Sequence, residues 1–224
     1  MTQAEAFFEP GFAEGGGALH TREGEIWELP VPQWAADAGP GDLPLLARCS
    51  GSTLDVGCGP GRMAAALSGR GVRALGVDVS PSAVAMARSR GATALNRDIF
   101  SLARGRRRWQ HILLVDGNAG IGGDPVRLLW LCRELLVPGG TVLVDLSPPG
   151  HGLQVTTVRL VGATGVGAWF AWAVLGFDAL EVVAAAAGLR VADAWHVEDE
   201  DRWQAELVLA DSWLAPAPHR DRAA

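Results

Sequence analysis

The chain has 224 residues, about half of them hydrophobic, and a formal net charge of −6. That length can bury one sizeable core and suits a single large domain, while the negative balance gives no general attraction to nucleic acid or to an anionic membrane. Three cysteines, Cys49, Cys58 and Cys132, are odd in number and lack a CxxC spacing, which speaks against a disulfide framework or a zinc site and for a reducing, cytoplasmic setting.

The amino terminus, MTQAEAFFEPGF, carries acids where a signal peptide would carry a basic region. Residues 1–48, rich in Gly and Pro, read as an appendage that could cover a substrate, and the domain proper starts at Cys49. Thr53–Val56 predicts a first strand, Arg62–Ser68 a helix and Val72–Val77 a second strand. Ser80-Pro81 sets a capping hydroxyl before a proline suited to the first helical position, so a helix over Pro81–Arg90 ends at Gly91. Ala92–Asn96 predicts a short third strand. Arg104, Arg106, Arg107 and Arg108, the one basic cluster, read as a solvated loop. His111–Val115 predicts a fourth strand, covered on both faces because it is apolar throughout after its first residue.

Asp124-Pro125 repeats the cap and proline, opening a helix to about Leu136, and Pro138-Gly139-Gly140 turns into a fifth strand, Thr141–Leu146. Leu160–Phe177 has no charged residue and is nearly long enough to cross a bilayer. Gly162, Gly165, Gly167 and Gly176 interrupt it, however, and its flanks are β-branched or aromatic, so residues 153–176 predict a β-hairpin. A helix over Ala179–Ala187 and strands over Leu189–Val197 and Trp203–Leu209 complete the domain at residue 212. The short acidic turn Glu198-Asp199-Glu200-Asp201 permits only antiparallel pairing of those strands. Residues 213–224 read as a disordered tail. Single helices between the central strands mean βαβ units and a parallel sheet.

The turn LDVGCGPGR, Leu54 to Arg62, lies between the first strand and the first helix, at the sheet edge where open α/β folds bind ligands. Its glycines let a ligand lie against the main chain, and the helix amino terminus behind them offers free N–H groups. Asp78 ends the second strand seventeen positions beyond Gly61, where a carboxylate can accept hydrogen bonds from both ribose hydroxyls. As a strand-end acid it could equally cap the next helix. Asp98-Ile99 follows the third strand, offering an acceptor for an exocyclic amine beside an apolar surface for a base. Together these features describe a nucleoside.

A dinucleotide and S-adenosyl-L-methionine are the nucleoside cofactors that fit. In the dinucleotide fingerprint GxGxxG the third glycine would fall on Arg62. The spacing is instead DxGxGxG, Asp55 through Gly61, and this resembles the first motif of the class I S-adenosylmethionine-dependent methyltransferases. VDVS with Asp78, NRDIF with Asp98, a fourth strand ending in Asp116, and LVPGGTVLVD follow in that family's order over Thr53–Ser147. The resemblance implies an α/β, Rossmann-like fold: a seven-stranded, mostly parallel sheet with an antiparallel last strand, helices on both faces and the hairpin inserted after the fifth strand. It also implies that Gly57, Cys58, Gly59 and Gly61 face the methionine and ribose part of the cofactor, and that Asp55 anchors the loop or reaches the amino group through water. In the same way Asp78 would hold the ribose, Val79 would pack near the adenine, Asp98 and Ile99 would read its amino edge, and Asp116 would border the reacting end.

The implied activity is methyl transfer to oxygen or nitrogen of a small molecule. The loop DGNAGIGGD, Asp116 to Asp124, departs from the NPPY-type sequence of enzymes that methylate amino groups of nucleic-acid bases or glutamine. Its glycines either bring the backbone close to a ligand or make a flexible loop. His151, beyond Ser147-Pro148-Pro149-Gly150 at the same sheet edge, is the best-placed candidate base, with Asp116 as a positioning carboxylate. Trp169, Phe170 and Trp172 could face a flat acceptor or form the buried side of the hairpin. No metal is expected, since Asp116, Asp124 and Asp145 have no histidine partner at ligand spacing. Two other readings stand beside the methyltransferase: an NAD(P)-dependent oxidoreductase on a similar sheet, and a non-catalytic domain that binds a nucleoside or a protein partner. The expected partner is a small-molecule acceptor, without nucleic acid or membrane, and a homodimer is left open.

Overall fold

Alternating short apolar runs and capped helices build two sheets in the computed structural model, which describes residues 16–102, 107–163 and 165–210. The described chain begins with two short strands, β1 (Ala18–Thr21) and β2 (Ile26–Glu28), and two short helices, α1 (Val31–Ala35) and α2 (Leu43–Arg48). Then come β3 (Thr53–Val56), α3 (Arg62–Gly69), β4 (Ala74–Asp78), α4 (Pro81–Ser89), β5 (Ala94–Asn96), β6 (Trp109–Leu114), α5 (Pro125–Leu135) and β7 (Leu136–Leu146). After β8 (Leu153–Gly162), β9 (Gly165–Val166) and β10 (Phe170–Leu175), the fold closes with α6 (Leu180–Ala186), β11 (Leu189–Val197) and β12 (Arg202–Leu209).

The larger sheet has the order β11-β12-β7-β6-β3-β4-β5. Its central strands pair in parallel, and β12 runs antiparallel to both β7 and β11, as the resemblance implies. Ile112 and Leu114 of β6 pack with Leu128, Leu135 and Val183 beneath α5 and α6, while Leu113 packs with Leu45, Met63 and Leu67 beneath α2 and α3. Helices therefore cover both faces, and each fully buried side chain of this kind contributes about 1.5–3 kcal/mol. The two cap and proline signals work as expected. Ser80 Oγ accepts from Ala83 N at 3.1 Å, and Asp124 Oδ1 accepts from Arg127 N at 2.9 Å. Pro138-Gly139-Gly140 is not a turn, however. A register shift against β6 between Trp109 and His111 absorbs it within one long strand.

The hairpin exists, with β8 and β10 antiparallel from Phe170↔Val158 to Leu175↔Leu153. It is half of something larger, because β1 adds to the other side of β8 and β2 to β1, giving a second sheet of order β10-β8-β1-β2, with β9 on β8. The uncharged stretch Leu160–Phe177 is spent on this sheet, and no helix among the described residues is long and apolar enough to cross a membrane. The boundary placed at residue 48 is corrected accordingly. Residues 16–48 supply two strands of this sheet, and α2 buries Leu45 and Leu46 against Met63, Leu67 and Leu143. The Gly and Pro content of that segment marks turns between very short elements, not a lack of core contacts. Arg107 and Arg108 are exposed, while Arg104, Arg106 and the tail 213–224 lie outside the described residues.

The glycine-rich loop after β6 is explained by this second sheet. Ile121 bridges to Trp172 of β10, a Cβ on Gly120 would collide with the Ala173 carbonyl oxygen, and one on Gly123 would lie 2.7 Å from Ala171 Cβ. The glycines let β10 rest directly on the loop backbone. Gly120→Ala is therefore expected to lower stability by about 1–3 kcal/mol, as overpacking does. Gly69→Ala, with open space around it in the last turn of α3, should leave the thermal midpoint unchanged or raise it. Equal midpoints for the two variants would contradict this assignment.

Candidate active site

Strands β3, β4, β5 and β6 end at one edge of the large sheet, and each delivers a group there. Gly57, Gly59 and Gly61 have φ of 67°, 50° and 85°, in the left-handed region that side chains with a Cβ avoid. Asn118, just beyond β6, donates to the carbonyls of Val56 and Gly57 at 2.9 Å each, and a Cβ on Gly57 would sit 2.8 Å from its amide nitrogen. This fixes the turn to the end of the neighbouring strand. Gly61 has a different task from the one implied: an added Cβ would come 2.9 Å from Ala87 Cα, so its bareness lets α3 approach α4.

Three carboxylates hold this edge together. Asp55 is buried and accepts from Ala64 N at 3.2 Å, which ties β3 to the first turn of α3. Asp78 accepts from Gly59 N at 2.9 Å and from Ser80 N at 2.8 Å, joining the glycine turn to the start of α4. Asp98 accepts from Phe100 N at 2.9 Å. Capping and ligand binding are compatible here, since each carboxylate oxygen has two acceptor sites.

Desolvation pushes the Asp55 carboxyl up to about 7, and the nearby Asp116 charge adds to the effect. The folded protein thus holds a proton that the unfolded chain releases near pH 4, so stability falls as pH rises from about 4 to about 7 and levels off above. Asp55→Asn should remove that component of the slope. Urea midpoints measured between pH 4.5 and 8 test this, and parallel curves for the two proteins would contradict it.

A cavity of about 530 Å³ opens at this edge, and every cofactor position named from the sequence lines it except Gly61. That volume lies in the range of small-molecule sites. His151 is not on its wall. It is exposed in the turn between β7 and β8, where its carbonyl accepts from Gln154 Nε2 at 3.1 Å. Residues 147–152 must swing the chain out of one sheet into the other, and His151 falls on the solvent side of that turn.

The opposite wall was not legible in the sequence. Trp27 and Leu29 reach it from the first described elements, Phe170 and Trp172 from β10, and Ile121 from the glycine-rich loop, while Trp34 lines the cavity beside Ala83 of α4. Phe170 and Trp172 share one face of β10 and meet edge to face at 6.2 Å, backed by Leu19, Val158 and Leu160. Trp169 is elsewhere, with the Arg22 and Arg159 guanidiniums 4.8 and 4.7 Å from its ring. Burial of rings and the shaping of a pocket are here the same fact for Phe170 and Trp172.

Arg62, which the sequence shows only as a misplaced glycine, forks between Asp42 and Asp116. Arg202 binds the other oxygen of Asp42 at 2.8 Å and also Asp145, to which Gln204 donates at 2.8 Å. Burial works to raise the Asp42 carboxyl pKa, but the Arg202 and Arg62 guanidiniums outweigh it and leave it below its ordinary value. The backbone of Asp116 is left-handed, with φ 57°, and its N–H donates to Asp145 at 3.1 Å. Its carboxylate thus stands fixed at the cavity rim.

Residues 53–140 match the family described as a methyltransferase domain. Residues 53–140 thus carry a methyltransferase domain, and the fold around them is that of S-adenosylmethionine-dependent methyltransferases. The ubiquinone biosynthesis O-methyltransferase of Cereibacter sphaeroides is 30% identical over 122 residues, 52% of this chain and 48% of that protein. The chain thus spans about half the length of the curated relatives it matches. A SAM-dependent methyltransferase from Bacteroides fragilis, in complex with S-adenosyl-L-homocysteine, has the same fold. Its TM-score is 0.78 at 22% identity, over 94% of this chain and 97% of that one. The glycopeptide N-methyltransferase MtfA, complexed with S-adenosyl-L-methionine, aligns with a TM-score of 0.61 at 17% identity, over 78% of this chain and 95% of its own. At this edge the methyltransferase domain presents bare backbone at Gly57 and Gly59 and strand-end carboxylates at Asp78 and Asp98 to the cavity. The family match over residues 53–140 counts against the oxidoreductase reading.

Proposed function

We propose that this domain transfers a methyl group from S-adenosylmethionine to oxygen or nitrogen of a small molecule. The observation that carries this reading is a single cavity with two unlike walls, one of glycine backbone and strand-end carboxylates, the other of aromatic rings from the second sheet. When bound, the cofactor supplies a methyl carbon made electrophilic by its sulfonium. Gly57 and Gly59 let it lie against the main chain, Asp78 accepts from the ribose hydroxyls, and Asp98 accepts from the adenine amine with Val79 and Ile99 against the ring. Asp116, held by Arg62, presents negative charge to the cationic end. Alignment of donor and acceptor then supplies much of the acceleration. Asp116 remains a positioning carboxylate, and His151 drops out as the base.

Relatives whose names specify both an O-methyltransferase and an N-methyltransferase support the acceptor class without choosing the atom. The buried, free thiols of Cys49, Cys58 and Cys132 suit a reducing compartment. The test is S-adenosylhomocysteine production against a broad small-molecule library. Turnover of a small acceptor supports the reading. Saturable S-adenosylhomocysteine binding with no turnover of any library member would instead favour the non-catalytic binding domain.

A further inference from the structure

The cavity wall opposite the cofactor residues says what kind of molecule faces the methyl group. Trp27, Phe170 and Trp172 line that half with Leu29 and Ile121, while Trp34 packs with Val31 against Ala83 of α4 beside the Asp78 strand end. Trp27, Phe170 and Trp172 come from two strands, β2 and β10, that the second sheet brings together. Rings set around a slot favour a flat partner, since stacked or edge-to-face aromatic contacts add to simple burial.

The same wall carries no group able to take a proton. The chain contains no lysine and no tyrosine, and no histidine lines the cavity among the described residues. The titratable and charged groups that do line it all stand on the cofactor side: Asp55, Cys58, Arg62, Asp78, Arg97, Asp98 and Asp116. Asp55, Asp78 and Asp98 already accept from backbone N–H groups, and Asp116 is paired with Arg62. Burial pushes the Cys58 thiol up, so it stays protonated. Arg62 and Arg97 are permanent cations.

We infer that the acceptor is a flat aromatic or heteroaromatic molecule that presents its own reactive lone pair to the methyl group. This deepens the methyltransferase reading and rests on it. The acceptor lone pair forms the new bond to the methyl carbon as the carbon–sulfur bond breaks, its electron pair staying on sulfur to give the neutral thioether. An amine acceptor then releases its extra proton to water, whereas a phenol gives up its proton to water before the transfer.

The experiment uses the full chain saturated with S-adenosylhomocysteine, so that a failure of cofactor binding is seen separately and counts against the methyltransferase reading alone. Naphthol and naphthylamine are titrated as flat probes beside decahydronaphthol, the saturated counterpart, by calorimetry. The flat probes should bind about tenfold tighter or better, the scale of an aromatic contact of this kind. Trp27→Ala and Trp172→Leu should weaken them by a similar factor while leaving S-adenosylhomocysteine affinity unchanged, which also shows that the variants fold. Equal binding of flat and saturated probes, or no binding of either to the loaded protein, overturns the assignment of the slot.

Discussion

Asp42→Ala is expected to cost about 3–5 kcal/mol of stability, the range found when one partner is removed from a buried ion pair. The Asp42 side chain is 1% exposed and sits between two guanidiniums that are themselves only 10% and 18% exposed. It also accepts from Gly39 N at 2.9 Å, which sets the chain on its path into α2. Alanine strands two positive charges and one backbone donor at once. Arg62 keeps Asp116 and Arg202 keeps Asp145, so the loss should lie towards the lower end. Asp42 is held ionised in the folded state. Its contribution is therefore fully present above the unfolded carboxylate pKa near 4 and fades as pH falls through the lower folded value. Urea denaturation at neutral pH and at about pH 3 checks both points. A loss under about 1 kcal/mol at neutrality would show that the network rearranges without cost.

Asp78→Ala should strike stability and cofactor binding together. Its two oxygens satisfy the buried N–H groups of Gly59 and Ser80, and an orphaned buried donor costs about 1–3 kcal/mol. The loss of stability should reach about 2–4 kcal/mol, with one donor finding partial compensation. In the cofactor-bound protein the same carboxylate accepts from the ribose, so affinity should fall by about tenfold or more, the worth of hydrogen bonds to a charged group. Asp78→Asn separates the two roles. It keeps an acceptor for one backbone donor, and should lose more in cofactor affinity than in stability. Calorimetry and urea denaturation on the same preparations report both quantities. A variant that loses stability yet binds the cofactor normally would reduce Asp78 to a structural cap.

The large sheet was legible because its signals are local. Ser80-Pro81 and Asp124-Pro125 place helix starts within a residue, and the apolar runs between them leave no other pairing than parallel. The cofactor wall was legible for a related reason. The residues at its strand ends fall in order between Asp55 and Asn118, each directly after a strand that the pattern identifies. The second sheet was not, because β1 is only the four residues ALHT and gains its identity from pairing with β8, far along the chain. Trp27 carried no signal for the same reason: its neighbours are set by that pairing. The Arg62–Asp42–Arg202–Asp145 network joins residues from the start, middle and end of the chain, and charge alone does not announce such a meeting. His151 was misplaced because the end of β7 fixes its sheet edge but not the direction in which the next turn swings.

The central claim, that the glycine turn and the strand-end acids form a site for a sulfur nucleoside, is tested most directly by calorimetric titration with S-adenosylhomocysteine, with NADH as the comparison. The account predicts saturable binding at a single site, a raised thermal midpoint as for any ligand selective for the native state, and loss of most of that affinity in Asp78→Asn. Binding of NADH with no heat from S-adenosylhomocysteine, or S-adenosylhomocysteine binding that Asp78→Asn leaves untouched, would contradict it.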